Sequence, residues 1–340
     1  MKKRGKGVAG MIYAIGSTGK ANPSTAIVRV NHDGKSFVYI GAADVGQGVI
    51  TAMCQIAAET LGLAVDDITM VYHDTEFTPY DYGTGASRVT LIMGNAVKNA
   101  AENAKTILLE AAARILNVNQ DFLTIRDGKI FLADLPARWV SIAEAAFFSE
   151  RVLGKPVYGL GSFSPDTSDI DKETGQGRPY STYVFATQVA EVEVDTATGE
   201  VTVLKVTAVH DCGRVINPIL AEGQVTGGIA MGIGHALMEE MLLDGETGAV
   251  LNDSFTDYLV PTALDVPEEI NICFVETEDD FTPYGAKGIG EPANLPTAPA
   301  IINAIYDAVG VWITELPATP EKVLLALRQK TERENGGSAC

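Results

Sequence analysis

The chain has 340 residues and a formal net charge of −19, with 46% hydrophobic and 20% charged residues. That length supports one large or two ordinary domains with real cores, and the composition is globular rather than disordered. The negative field repels nucleic acid and anionic membrane, so both are set aside as partners.

The opening Met1-Lys2-Lys3-Arg4 is basic, but no long apolar run follows. A cytoplasmic protein without signal or membrane span is therefore expected. Residues 25–30 and 36–40 predict a hairpin around Asn31-His32-Asp33-Gly34. A glycine-rich corner from Gly41 to Gly48 leads into a helix over 49–61, and a strand follows at 68–72. Ala100, Ala104, Ile107, Ala111 and Ile115 form the apolar stripe of a helix over 94–117. Short strands at 123–126 and 129–132 flank Asp127-Gly128, and a polar, Gly/Pro-rich stretch over 154–179 reads as a long loop or linker.

Beyond that stretch the order repeats. Strands over 183–195 and 200–211 are joined by Thr196-Ala197-Thr198-Gly199, and a corner follows at Asp211-Cys212-Gly213. Then come a helix over 220–241, a strand over 270–275 and a helix over 298–309. The expected fold is α+β, a duplicated β-β-α-β-α unit with mixed sheets. Residues 1–155 are the first unit, 156–180 the linker, 181–330 the second unit and 331–340 a flexible tail.

Several chemistries are disfavoured. Cys54, Cys212, Cys273 and Cys340 show no Cys-x-x-Cys spacing, which argues against a zinc ribbon, an iron–sulfur cluster or a disulfide framework. No Gly-x-Gly-x-x-Gly turn opens a βαβ unit, and the glycines between 227 and 234 sit in a helical pattern that suggests close packing. There is no Gly-x-Ser-x-Gly elbow. His73-Asp74 and His210-Asp211 invite a metal-dependent phosphohydrolase. Both follow strand-like runs, however, and only His32 and His235 remain to help, so satisfied strand-end histidines are the simpler reading.

Three glycine-rich corners carry the functional signal: Gly46-Gln47-Gly48, Gly85-Ala86-Ser87-Arg88, and Gly285-Ala286-Lys287-Gly288-Ile289-Gly290-Glu291-Pro292. Each alone reads more simply as a tight turn. Corners that enter helices expose backbone donors suited to phosphate, and Ser87 with Arg88 suits an anion. A glutamine between glycines reads the edge of a heterocycle. Glu291, in a loop of three glycines with Lys287 nearby, is a candidate general base. Together the corners point to one large, polar, phosphate-bearing cofactor.

In this order and spacing the motifs resemble the C-terminal half of the molybdenum-binding subunit of the xanthine dehydrogenase/aldehyde oxidase family, over roughly residues 5–325. The run Asp211-Cys212-Gly213-Arg214-Val215-Ile216-Asn217-Pro218, continuing to Gly223-Gln224, is also similar. The resemblance implies the family's molybdenum-cofactor-binding domain fold. It makes Glu291 the base that takes a proton from a molybdenum-bound hydroxyl, while hydride passes to a sulfido or selenido ligand. It makes Gln47 and Gln224, with Gly46 and Gly48, pterin ligands, and Gly85, Ala86, Ser87 and Arg88 the cradle of the phosphate-bearing side. Lys287 and Gly288 bring backbone to the dithiolene end, and no residue ligates the metal directly. Arg88 fits molybdopterin cytosine dinucleotide, whose extra phosphate calls for positive charge. Tyr13 falls where relatives set an aromatic against the substrate ring, although a core-filling tyrosine reads equally well.

The same resemblance implies partners: a larger molybdopterin subunit, an iron–sulfur subunit and an FAD subunit that pass electrons to NADP. The substrate expected is an aromatic N-heterocycle, first of all nicotinate, hydroxylated to 6-hydroxynicotinate as in the nicotinate branch of the family. The alternatives are a purine, an aldehyde or an aromatic CoA thioester, or a noncatalytic cofactor-carrying subunit.

Overall fold

The computed structural model describes residues 1–17 and 21–336. The first part of the chain forms β1 (Lys2–Ala14), β2 (Ser24–Val30), β3 (Ser36–Ile40), α1 (Val49–Leu61), β4 (Ile68–Val71) and α2 (Val89–Leu116). Then follow β5 (Leu123–Arg126), β6 (Lys129–Leu132), β7 (Leu135–Ser141), α3 (Ile142–Arg151) and β8 (Val157–Phe163). The remainder is β9 (Tyr183–Asp195), β10 (Val201–Asp211), α4 (Pro218–Leu237), β11 (Glu269–Val275), α5 (Thr297–Val309) and α6 (Pro320–Gly336).

Two four-stranded mixed sheets share one plan, in the orders β4-β3-β2-β8 and β11-β10-β9-β1. In each, an antiparallel hairpin (β2/β3 or β9/β10) is followed by a parallel neighbour (β4 or β11) and flanked by an antiparallel fourth strand. Along the hairpin strands alternate residues are buried, the period-2 signature of a sheet with one face against a core. The first core joins that face of β2 and β3 to α1, α2 and α3; the second joins β9 and β10 to α4 and α5. The α+β class and the mixed sheets are as expected, and each half carries the β-β-α-β-α order.

The fourth strands were not anticipated. Residues 2–14, assigned from sequence to the first unit, pair along their whole length with β9 of the second sheet. The first sheet is instead closed by β8, which lies in the stretch read as linker. Neither strand has a β-branched pattern, and the reason is steric. A Cβ at Gly7 would lie 2.1 Å from the Ala300 carbonyl oxygen and 2.2 Å from the Ala304 nitrogen, and one at Gly5 would lie 2.3 Å from the Ala304 oxygen. In β8 a Cβ at Gly159 would lie 1.9 Å from the Ala100 oxygen, and one at Gly161 would lie 2.3 Å from the Ala96 oxygen. Each fourth strand thus presses a Gly-x-Gly edge onto an alanine-lined helix, α5 in one unit and α2 in the other. The equivalence of β1 and β8 rests on that shared contact.

Smaller differences follow local rules. The helix expected to start near Gly94 begins at Val89, so the corner at 85–88 is its immediate N-terminus. The helix expected to reach 241 ends at Leu237. The tail expected from 331 is helical to Gly336, inside α6, and its residues 337–340 lie outside the described residues. Helix α3 was missed although Ser141 and Glu144 form a reciprocal capping box. No helix among the described residues is long and apolar enough to cross a membrane.

Adding a methyl group at these contacts forces backbone apart, because nothing flexible lies opposite. Gly7→Ala and Gly161→Ala are each expected to lower stability by about 1–3 kcal/mol, read as an earlier midpoint in denaturant unfolding. Gly10→Ala, whose Cβ would meet nothing closer than 3.6 Å, serves as the tolerant control in the same strand.

Candidate active site

Three segments meet at the site: the loop before α2, the loop between β11 and α5, and the end of β1. The 285–292 loop is tied first to the corner that follows β10. Arg214 N–H donates to the Gly285 carbonyl at 2.8 Å, and Lys287 N–H donates to the Cys212 carbonyl at 2.9 Å. The Lys287 ammonium is buried and donates to Asp211 Oδ2 at 3.1 Å, Thr277 Oγ1 at 3.1 Å and the Tyr183 carbonyl at 3.2 Å. Next, Gly288 lies flat on the loop before α2, where a Cβ would come within 1.9 Å of the Ser87 carbonyl oxygen. This glycine therefore serves the approach of two loops to each other.

That approach brings Glu291 across the gap. Its Oε1 accepts from the Ala86 N–H at 2.9 Å, and its Oε2 accepts from Ser87 Oγ at 2.5 Å and from the Tyr13 hydroxyl at 3.0 Å. Ser87 Oγ in turn accepts from the Glu291 N–H at 3.2 Å. Ala86 and Ser87 both have left-handed backbone, with φ of 51° and 49°, although neither is glycine. Such geometry costs about 1–2 kcal/mol per residue and is held here by the hydrogen bonds around it. One of these runs from the Gly16 N–H to the Ala86 carbonyl at 2.9 Å. Burial pushes the Tyr13 phenol up to about 12, and its bond to Glu291 adds to the rise. It therefore remains a donor throughout the neutral range.

Arg88 departs from the expectation drawn for its charge. The Arg88 guanidinium is 1% exposed and its donors are all engaged. Nη1 donates to both Asp81 oxygens and the Gly83 carbonyl at 3.0 Å, and Nε donates to Asn22 Oδ1 at 2.7 Å. Nη2 donates to Ser24 Oγ at 2.8 Å and the Pro23 carbonyl at 3.1 Å. A guanidinium held this way clamps the base of its loop and has no donor left for a phosphate. The Lys287 side chain is likewise engaged within the protein, which leaves the approach expected of its backbone untouched. Gln47 closes its own corner, accepting from Val45 N–H at 2.6 Å and donating to the Ala43 carbonyl at 3.0 Å. Tyr13, expected against a substrate ring, has its hydroxyl on Glu291.

What remains open is a cleft of about 260 Å³ bordered by Thr84, Gly85, Ser87, Gln224, Gly288 and Glu291. It adjoins a second hollow that shares Gln47 and Gln224 and reaches Gly48 and Cys212. Helices α1 and α2 begin here, at Gly48 and Arg88, and neither has a side-chain cap on its first amides. Uncapped first-turn amides and the dipole behind them suit a phosphate or another electron-rich group. The site thus offers backbone donors, the Gln224 amide and one carboxylate.

Other groups are ruled out as reactants by their surroundings. Burial, helped by Asp211 and Glu276, pushes the Cys212 thiol up to about 12, so it is no nucleophile. His73 is exposed in a turn after β4, whereas His210 is buried within β10, so the two His-Asp pairs build no common site. No cluster of three or more His, Cys, Asp or Glu able to hold a metal ion occurs among the described residues. One supporting network was missed from sequence. Buried Gln188 donates to the Ala293 carbonyl at 2.9 Å and accepts from Thr297 Oγ1 at 2.6 Å, anchoring the chain just after Glu291. Its signal was a glutamine at an inward position of the apolar alternation in β9.

The sequence matches the family described as the molybdopterin cofactor-binding domain over residues 1–267. It is 35% identical over 325 residues to a xanthine dehydrogenase molybdenum-binding subunit of Escherichia coli, covering 94% of this chain and 42% of that protein. It is 34% identical to the nicotine 6-hydroxylase large subunit of Paenarthrobacter nicotinovorans, covering 94% of this chain and 38% of the other. The structure superposes on quinoline 2-oxidoreductase from Pseudomonas putida with a TM-score of 0.87 at 29% identity, covering 96% of this chain and 42% of that one. The chain therefore spans about two fifths of the length of these relatives.

His210 packs beside Gln188, with Nε2 at 3.4 Å from its amide nitrogen, and burial lowers its pKa from 6.5 to about 4. Between those values the unfolded chain binds the proton and the folded chain does not, so stability falls as the pH drops through that window and levels off below it. The contribution at stake is roughly 3 kcal/mol. Urea unfolding at pH 7 and pH 4.5 should show a smaller acid loss in His210→Asn than in the parent.

Proposed function

Since the chain belongs to the molybdenum-binding subunits of the xanthine dehydrogenase/aldehyde oxidase family, we propose that it supplies the general base and one wall of the cofactor cleft of a molybdenum hydroxylase. The observation that carries this reading is the Glu291 carboxylate at the cleft, gripped by three donors from two other segments. A purely structural role would have no need of a carboxylate bordering open space.

The residues fit the pterin on their own chemistry. The free N-termini of α1 and α2 and the amide of Gln224 match a ligand rich in acceptors and phosphate oxygens. When bound, the molybdenum–pterin group supplies an activated water oxygen and takes up the electrons leaving the substrate C–H bond. Glu291 then receives the proton released from that water, and Ala86, Ser87 and Tyr13 hold the carboxylate still while it does so. Gly288 lets the two loops close directly against each other. With Arg88 engaged internally, its charge does not support the cytosine dinucleotide form, while the exposed Arg214 lines the adjoining hollow.

An aromatic N-heterocycle is the substrate class we favour, with nicotinate the first to test. Relatives named for nicotine 6-hydroxylation and quinoline oxidation support a ring of this kind. The electrons need an exit, and the cysteine spacing provides no cluster site in this chain. We therefore place the iron–sulfur and FAD groups in partner subunits, with a further molybdopterin subunit completing the cleft.

In the purified complex, Glu291→Gln should keep full molybdenum and pterin content while turnover falls by about a hundredfold or more. Dye reduction with nicotinate, xanthine and benzaldehyde ranks the substrate classes. Normal turnover in a fully loaded variant would overturn the assignment of the base.

A further inference from the structure

Tyr13 lies on β1, a strand from the opposite end of the chain to Glu291, and its ring is partly covered. Beyond it the strand end is fixed by two backbone bonds, from Ile15 N–H to the Thr182 carbonyl at 3.2 Å and from Gly16 N–H to the Ala86 carbonyl at 2.9 Å. The hydroxyl is therefore presented to Glu291 by a braced strand rather than by a free side chain.

The two carboxylate oxygens are not equivalent. Oε2 receives two O–H donors, from Tyr13 and Ser87, as many as its lone pairs accept. Oε1 receives one donor, the Ala86 N–H, and retains an open acceptor position. Ser87 cannot turn away to relieve Oε2, because its oxygen also accepts from the Glu291 N–H.

We propose that Tyr13 is a positioning residue for the base: with Ser87 it saturates Glu291 Oε2, so that Oε1 is the oxygen that takes the proton. This rests on the reading of Glu291 given above. It also differs from a stacking role for the tyrosine ring, since the hydroxyl and not the ring carries the effect. A donor to the ionised carboxylate favours its charged form, so losing that donor narrows the pH range over which the base is available.

The two roles separate in Tyr13→Phe, which keeps the ring and deletes the donor. In the purified complex kcat should fall roughly tenfold to a hundredfold with KM within about threefold, and the acid limb of the kcat profile should move to higher pH. Ser87→Ala, which removes the other donor to Oε2, should move the same limb in the same direction and serves if Tyr13→Phe fails to fold. A second readout needs no turnover. With ¹³C-labelled tyrosine, the Tyr13 phenol titrates near 12 in the parent and should move down in Glu291→Gln, which removes the acceptor charge. Parent-like kcat in Tyr13→Phe, a raised KM with kcat intact, or a phenol titration indifferent to residue 291 would each overturn the proposal. Turnover in loaded Glu291→Gln would instead overturn the function assigned to Glu291, even with the phenol still responding.

Discussion

The seating of Gly288 on the Ser87 carbonyl is the contact from which the rest of the site follows. Only with the two loops touching can the Glu291 side chain reach Ala86 and Ser87 and still border the cleft. Each loop is made rigid from behind by a buried cation. Lys287 is locked to Asp211 under one, and Arg88 is locked to Asp81 under the other, with both partners of the second pair 1% exposed. Breaking such a pair leaves an uncompensated charge inside the protein and costs about 3–5 kcal/mol. The two cations therefore act as fixed footings for the loops, and this is how a strained Ala86-Ser87 pair can persist beside an exposed carboxylate.

The duplication explains where those footings stand. Each unit sends its hairpin into a corner and then a helix, so the corners of both units lie at corresponding ends of their sheets. The Glu291 loop belongs to the second unit and the Ser87 loop to the first, and the cleft lies where they meet. Strand β1 ties the arrangement together. It completes the second sheet, yet its far end bonds through Gly16 to the first unit's Ala86. A displacement of either unit would be felt at Tyr13, Ser87 and Glu291 together, because all three share one set of hydrogen bonds.

Much of this was legible in the residues, and the parts that were not share a physical cause. The hairpins and the long α2 and α5 patterns were readable because burial on one face imposes a period of 2 or 3.6. The fourth strands were not, because a strand pressed against helix backbone needs glycine, and Gly5, Gly7, Gly159 and Gly161 look like loop residues. The three corners could be found from composition, since close approach demands glycine wherever it occurs. The roles within them could not. Arg88 and Lys287 carry the same charge whether they face a ligand or a buried aspartate, and only the positions of Asp81 and Asp211 decide which. Gln188 shows the converse: its polar side chain at an inward strand position was a visible anomaly, and the structure gives it a partner on each side.

With Arg88 and Lys287 engaged inside the protein, the cleft beside Glu291 offers backbone donors and helix N-termini, and the exposed Arg214 lines the adjoining hollow, on a chain of net charge −19. An anionic ligand would therefore gain directional hydrogen bonds at the cleft. Fixed amides select by geometry. Amides fixed in this way would orient a phosphate-bearing ligand relative to Glu291.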